Sequence, residues 1–413
     1  MTLAEAPRQA WRMPDTLPAN DPARAIADGA AACAARLVEI RRDLHAHPEL
    51  AFNEQRTAGV VAAELSRLGI AHRTGVGRTG VVGLIEGGLP GPTLALRADM
   101  DALPIAEQTG LAFASRTPGL MHACGHDVHT ATLLGAAAIL RELAPALAGR
   151  VKLVFQPAEE TLAGAAAMIA DGVMENPHVD MALGFHNYPE IPLGGFATTP
   201  GAALAASDRF EITVRGISGH AAHPDVAVDP ILAAATLVVQ LQSVVAREID
   251  PFRPAVLTIG AIEGGIAHNI IPDEVVLRGT ARSLDEQTRT RIEAALRRLC
   301  EGVGTGMRAP CTLDYHRGCP PLVNDEGMRR RLAASVAAQF ATRVEERAPS
   351  MGGEDFAYFA ERVPAAHLAI GSGQKGRADR LHNSAYQPDE GAIGLGAAAL
   401  ARAAFDLLRP GAG

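Results

Sequence analysis

Apolar positions along the chain fall into two successive patterns. From Ala25 to His45, and again from Glu54 to Leu68, they recur at helical spacing. His47-Pro48 closes the first run, because proline disfavours helix in the residue before it. Short β-rich runs follow at Gly80 to Glu86, Thr93 to Arg97, Val151 to Phe155 and Met181 to Phe185. The last three are largely apolar and lie between longer, partly helical stretches such as Ala131 to Leu143. That is the signature of central parallel strands in a layered α/β sheet.

The pattern changes at Asp208. Arg209 to Arg215 alternates polar and apolar, as a half-exposed antiparallel strand does. A helix from Pro230 to Glu248, strands Ala255 to Glu263 and Glu274 to Ser283, and a helix from Asp285 to Glu301 complete a β-α-β-β-α unit. At about a hundred residues it has the size of a small domain. After Tyr315 the chain returns to helix, strand and helix. The expected class is α/β, with a layered catalytic domain built on a mainly parallel sheet with helices on both faces. Residues 1–206 and 315–413 supply it, and residues 207–314 form an inserted α+β domain. Candidate ligands stand on both sides of the insertion and have to meet.

The chain's 413 residues exceed a comfortable single core, in keeping with two domains. A net charge of −8 without any Lys/Arg cluster argues against a nucleic-acid or anionic-membrane partner. The five cysteines are odd in number and irregularly spaced, which fits reduced thiols. Met1 to Asn20 has no apolar signal core and reads as a loose arm. No window approaches the apolar length of a membrane span, so the expectation is a soluble, cytoplasmic protein.

The candidate chemistry gathers where predicted strands give way to loops. Cys124 and His126 lie in Met121-His122-Ala123-Cys124-Gly125-His126-Asp127-Val128-His129-Thr130, far denser in ligand-type side chains than a core needs. Glu159-Glu160 follows the Val151 to Phe155 strand, His186 ends the Met181 to Phe185 strand, and His382 stands in Leu381-His382-Asn383-Ser384. Thiolate, imidazole and carboxylate together suit a borderline divalent ion such as Zn, Mn, Co or Ni. Glu159, beside the presumed ligand Glu160, is free to act as a base, which points to metal-assisted hydrolysis. Asp101 fits either an acceptor that orients a ligand histidine or a simple turn cap. His220, in the glycine-rich loop Gly216 to Pro224, is a candidate donor to a carbonyl oxygen or an ordinary turn residue. No G-x-S-x-G nucleophile and no dinucleotide-binding glycine loop competes.

Together these segments resemble the co-catalytic metallo-aminoacylase and carboxypeptidase superfamily, in its hippurate hydrolase, auxin-conjugate amidohydrolase and N-acyl-amino-acid amidohydrolase branch. Asp43 to Leu50, Arg97 to Ile105, His122 to Ala131, Phe155 to Glu160, Gly184 to Pro189, Gly216 to Pro224, Gly265 to Asp273, Met351 to Phe356 and Leu381 to Ser384 carry the likeness, in order. The resemblance implies two divalent ions per subunit, with Cys124, His126, Glu160, His186 and His382 as ligands and Glu159 as general base. It further implies that the inserted domain is a lid that mediates homodimerisation or higher assembly. His220 would reach the substrate carbonyl, often in the partner's site, and Asn269 and Arg282 would lie toward the substrate carboxylate. Cys124 stands where the wider superfamily has Asp, and Asp99-Met100-Asp101 lacks the usual His. The implied substrate is a small N-acyl amino acid. The rivals are a dipeptidase or carboxypeptidase of the same superfamily and a degenerate, non-catalytic binding protein, which would have lost the base or a ligand.

Overall fold

The computed structural model describes residues 22–411. The expected arm at Met1 to Asn20 lies outside them. The first segment runs α1 (Pro22–Ala46), α2 (Gln55–Arg67), β1 (Ala71–Val76), β2 (Gly80–Glu86), β3 (Leu89–Asp99), α3 (His126–Leu143), β4 (Ala148–Gln156), α4 (Gly164–Ala170), β5 (Met181–Pro192), β6 (Phe196–Thr198) and β7 (Ala202–Leu204). A middle segment holds β8 (Ala206–Arg215), β9 (Gly219–His220), α5 (Pro230–Ser243), β10 (Ala255–Gly264), β11 (Ile270–Ile271), β12 (Glu274–Ser283), α6 (Glu286–Gly306) and β13 (Cys311–His316). The chain closes with β14 (Leu322–Val323), α7 (Glu326–Phe340), β15 (Glu345–Glu346), α8 (Ala357–Ala360), β16 (Ala365–Gly373) and α9 (Gly391–Leu407).

Eight strands form the large sheet in the order β1-β2-β4-β3-β5-β16-β6-β15. Its centre, β4-β3-β5-β16, is parallel, and β1 and β2 extend it antiparallel. The period of two explains why the central strands read as unbroken apolar runs. Leu94, Leu96 and Ala98 face one core with Leu153, Phe155, Leu183 and Phe185, against helices α1, α3, α7 and α9. Ala95, Val154 and Ala182 face the other, with Met168 of α4 and Phe359 of α8. Both faces are covered, so neither needs polar side chains.

The small antiparallel sheet, β10-β12-β8-β13, packs α5 and α6 on one face. Phe210, Ile212 and Val214 of β8 meet Leu237, Leu241, Ile292 and Leu296 there, while Arg209, Glu211, Thr213 and Arg215 alternate outward. The sequence missed β13, whose side chains are all exposed or half-exposed at the sheet edge, so the expected β-α-β-β-α order gains a last strand. The expected boundary at 314 falls inside that strand. The predicted helix over Pro230 to Glu248 is α-helical to Ser243 and ends in one wider π-type turn. Contrary to expectation, this stretch is long and apolar enough to cross a membrane by length and composition. Here Ala233, Ala234, Leu237, Leu241 and Val244 are buried and pack into the small core. The two strands of chain entering and leaving the unit are laced together. Asp208 accepts from Arg289 at 2.6 Å, from the Tyr315 hydroxyl at 2.7 Å and from the Gly318 amide at 2.9 Å, and the Ser207 amide donates to Cys319 at 3.1 Å.

Candidate metal centre

The open end of the parallel strands collects the chemistry, as expected of an α/β sheet. Cys124 and Gly125 lead into α3, with His126 as its first residue. Gly125 has φ of 88°, and a Cβ there would lie 2.4 Å from the Asn187 side chain, so only glycine fits this turn. Glu159 and Glu160 follow Ala158 at φ 54°, and His382 itself is left-handed at φ 60°. Strained backbone of this kind persists where surrounding contacts fix it. Asp101 does the fixing at Glu159-Glu160: its two carboxylate oxygens each accept from one of their amides, at 3.0 Å.

The structure brings Cys124, His126, Glu159, Glu160, His186 and His382 together. The ligand-type atoms of Cys124, His126 and His186 lie within 4.8 Å of one another, as do those of Cys124, Glu160 and His382, and of His126, Glu159 and Glu160. Both buried histidines are oriented in the same sense. His186 Nδ1 donates to the Asn187 carbonyl at 2.6 Å, leaving Nε2 deprotonated and 3.2 Å from Cys124 Sγ. His126 Nδ1 donates to Asp101 at 3.2 Å, and its Nε2 is buried without any hydrogen-bond partner. Glu160 Oε1 is likewise buried and unpartnered, 3.9 Å from that Nε2. Buried polar atoms without partners are costly, and here two of them converge with a thiol and a third imidazole, His382, 3.4 Å from Glu160. Residues so arranged fit a divalent cation, with the outer histidine nitrogens anchored as metal ligands require.

Sequence reasoning missed several members of this region. His129, one helical turn past His126, bonds Asp99 at 2.6 Å and accepts from the Asn187 amide at 3.0 Å. The i, i+3 spacing on α3 was the available signal. Glu354 and Asp355 reach the back of the site from a distant loop and group with Glu159 within 4.8 Å. The fully buried Arg97 neutralises them, at 3.0 Å from Glu354 and 2.9 Å from Asp355.

The field on the two neighbouring glutamates is unequal. Burial, then Glu354, Asp355 and Glu160, holds the Glu159 carboxyl well above its ordinary range. Burial also opposes ionisation of Glu160, but His382 and His126 outweigh it and draw that carboxyl below its usual value. Burial and the adjacent His129 keep His186 neutral, well below the usual imidazole range.

The three lid residues stand apart. His220 is exposed in β9, its Nδ1 accepting from the Ala222 amide at 3.0 Å. The exposed Asn269 contributes its carbonyl to the Ala221 amide at 3.1 Å. Arg282 points along its own sheet to Thr280 and the Asp208 carbonyl. None of the three belongs to the ligand-type groups described above.

A doubly covered parallel sheet ending in thiolate, imidazole and carboxylate donors, with a spare buried carboxylate, defines a metal-dependent hydrolase. Comparison with known proteins gives it its place: residues 95–406 match the sequence profile of peptidase family M20/M25/M40, and the chain belongs to that family. It is 42% identical over 358 residues to an N-acetyl-L-cysteine deacetylase of Bacillus subtilis, covering 87% of this chain and 85% of that protein. It is 38% identical over 378 residues to the IAA-amino acid hydrolase ILR1-like 2 of Arabidopsis thaliana, covering 90% and 85%. The crystal structure of a dinuclear metal-binding M20 peptidase from Bacillus subtilis superposes with a TM-score of 0.81 at 34% identity, over 92% of this chain and 99% of that one. The chain is a divalent-metal-dependent amidohydrolase.

Proposed function

We propose that this amidohydrolase cleaves N-acyl amino acids to a carboxylic acid and a free amino acid. We assign two divalent ions per subunit, drawn from Mn, Zn, Co and Ni, to Cys124, His126, Glu160, His186 and His382. The observation that carries the reading is the pair of buried, unpartnered atoms, His126 Nε2 and Glu160 Oε1, beside the spare carboxylate of Glu159. Relatives whose names specify N-acetylcysteine and IAA-amino acids support the substrate class.

When bound, the metal acts as a Lewis acid that polarises the amide carbonyl and acidifies water. Glu159 takes a proton from the attacking water onto its carboxylate and returns it to the leaving nitrogen. Asp101 holds His126 and the Glu159-Glu160 turn in register. Asp99 holds His129, which in turn fixes the Asn187 backbone next to His186.

We assign residues 207–314 to a lid and dimerisation domain. Its edge strand β10 and the exposed Ile231, Leu232, Val239 and Ile262 support a homodimer formed through this unit. His220 then donates to the substrate carbonyl, in its own site after closure or in the partner's, and Asn269 and Arg282 lie on the side of the carboxylate. Five free cysteines support a cytoplasmic setting.

The test sets hippurate, N-acetyl amino acids and dipeptides side by side before and after chelation. Turnover of the N-acyl substrates should vanish with the metal and return with Mn, Co, Ni or Zn. Full turnover by verified metal-free enzyme would overturn the metal assignment, and preference for dipeptides would favour the peptidase rival.

A further inference from the structure

We infer that Arg347, stacked on Tyr188, forms the catalytic body's binding subsite for the α-carboxylate of the substrate; the inference rests on the N-acyl amino acid reading. In such a substrate only the amide nitrogen and Cα separate the scissile carbonyl carbon from the carboxylate carbon, a reach of about 3.5 Å. A carboxylate receptor on the catalytic body, complementing Asn269 and Arg282 of the inserted unit, therefore has to stand immediately beside the metal ligands. Tyr188 does, two residues beyond His186 on β5 and hence on the same face, with ring centroids 5.0 Å apart. The Arg347 guanidinium lies 3.7 Å from the Tyr188 ring centroid, a stacking arrangement natural to arginine. Its backbone amide donates a hydrogen bond to the Thr198 carbonyl at 2.9 Å.

A cavity of about 20 Å³ opens at this point, room for about one water. Tyr188, Thr199, Ser350, His367 and Arg347 line it, and no acidic side chain does. His367 is 5% exposed, and its Nε2 has no hydrogen-bond partner. Among the described residues, the one acid bonded to Arg347 is Glu190, at 2.5 Å and itself 53% exposed. Exposed pairs of this kind contribute little and exchange readily for a better-placed carboxylate. The guanidinium keeps further N–H groups for a bidentate partner. The buried arginines are committed elsewhere: Arg97 to Asp99, Gln156, Glu354 and Asp355, Arg41 to Asp127 and Glu390, Arg289 to Asp208 and Glu286, and Arg329 to Glu326 and Glu346.

The experiment compares N-acetyl-L-methionine with N-acetyl-L-methioninamide, which lacks the charge. Wild-type enzyme should prefer the acid. Arg347→Leu should lower kcat/KM for the acid about 10- to 100-fold, mainly through KM, and leave the amide unaffected, as expected on loss of one charged hydrogen-bonded contact. Arg347→Lys should fall between the two. Glu190→Gln, which removes the competing acid, should lower KM for the acid, a gain that misfolding cannot imitate. An unchanged acid-to-amide ratio in Arg347→Leu, or equal use of both substrates by wild type, would overturn the subsite. Wild-type enzyme that hydrolysed no N-acyl amino acid at all would instead overturn the functional reading beneath it.

Discussion

Two adjacent glutamates of one chemical type stand in opposite electrostatic surroundings, and substitution should separate their roles. Glu159→Gln should reduce kcat by several orders of magnitude while leaving metal content near normal. Glu160→Gln should lower metal content itself, measured by elemental analysis beside the kinetics. Swapped outcomes would reverse the assignment. Cys124 supplies a third check at this scale, since a metal-bound thiolate is shielded from alkylation. Modification should be slow in the loaded protein and fast after chelation, and protection in both forms would mark it as merely buried. Glu159 and Glu160 were legible because two acids closely follow an apolar strand, and Cys124 and His126 because ligand-type residues are so dense from Met121 to Thr130. Glu354 and Asp355 were not, because a loop brings them in from about two hundred residues away and nothing in local periodicity marks it. Asp99 was visible in the sequence, but its use depends on His129, whose partner only the folded helix reveals.

Among the described elements, three helices begin on an aspartate that accepts from backbone amides of the first turn: Asp229 for α5, Asp285 for α6 and Asp325 for α7. Asp285 binds the Thr288 amide at 2.8 Å. Burial opposes its ionisation, but the Thr288 bonds and Arg253 outweigh it and hold its carboxyl below the usual value. A folded-state value below the unfolded one means stability that is present above the ordinary aspartate range, near 3.9, and lost as pH falls through the folded value. Asp285→Ala should therefore cost about 1 kcal/mol at pH 7. The cost should shrink as pH falls through the folded value, read from urea midpoints of the full chain. A cost independent of pH would exclude the charged cap. Long elements were legible through their period: α1, α2, β3 and β4 stand within a few residues of their expected ranges, while α6 and β5 run past theirs to Gly306 and Pro192. Strands of two or three residues, such as β6, β7, β14 and β15, are too short to carry any period. They exist because tertiary neighbours pair them.

At the scale of the whole molecule, subunit mixing tests the proposed reach of His220 into a partner's site. If it completes the partner's site, mixing inactive His220→Ala with inactive Glu159→Gln subunits should recover part of the activity, since one hybrid site then holds both native residues. No recovery after confirmed subunit exchange would place His220 in its own chain's site or outside catalysis. The return of the chain to the large sheet after the middle segment was legible because ligand-type residues flank that segment. The face that α5 and β10 leave to solvent was not, since apolar periodicity does not say which side of a helix is covered.

That middle segment also imposes an order of assembly. Residues of the small unit are contiguous from Ala206 to His316, so all its strand pairings are available as soon as that stretch is made. The large sheet has to wait: β5 lacks its parallel neighbour until β16 arrives, and α1 and α3 lack the helix α9 that packs across them. Such distant pairings are the slow part of folding. Until His382 is reached, the donors encoded between Cys124 and His186 remain short of one imidazole. Completion of the cluster therefore times itself to the last stage of synthesis, and a nascent chain carries its thiol and carboxylates without the complete grip that would draw metal onto a half-built body.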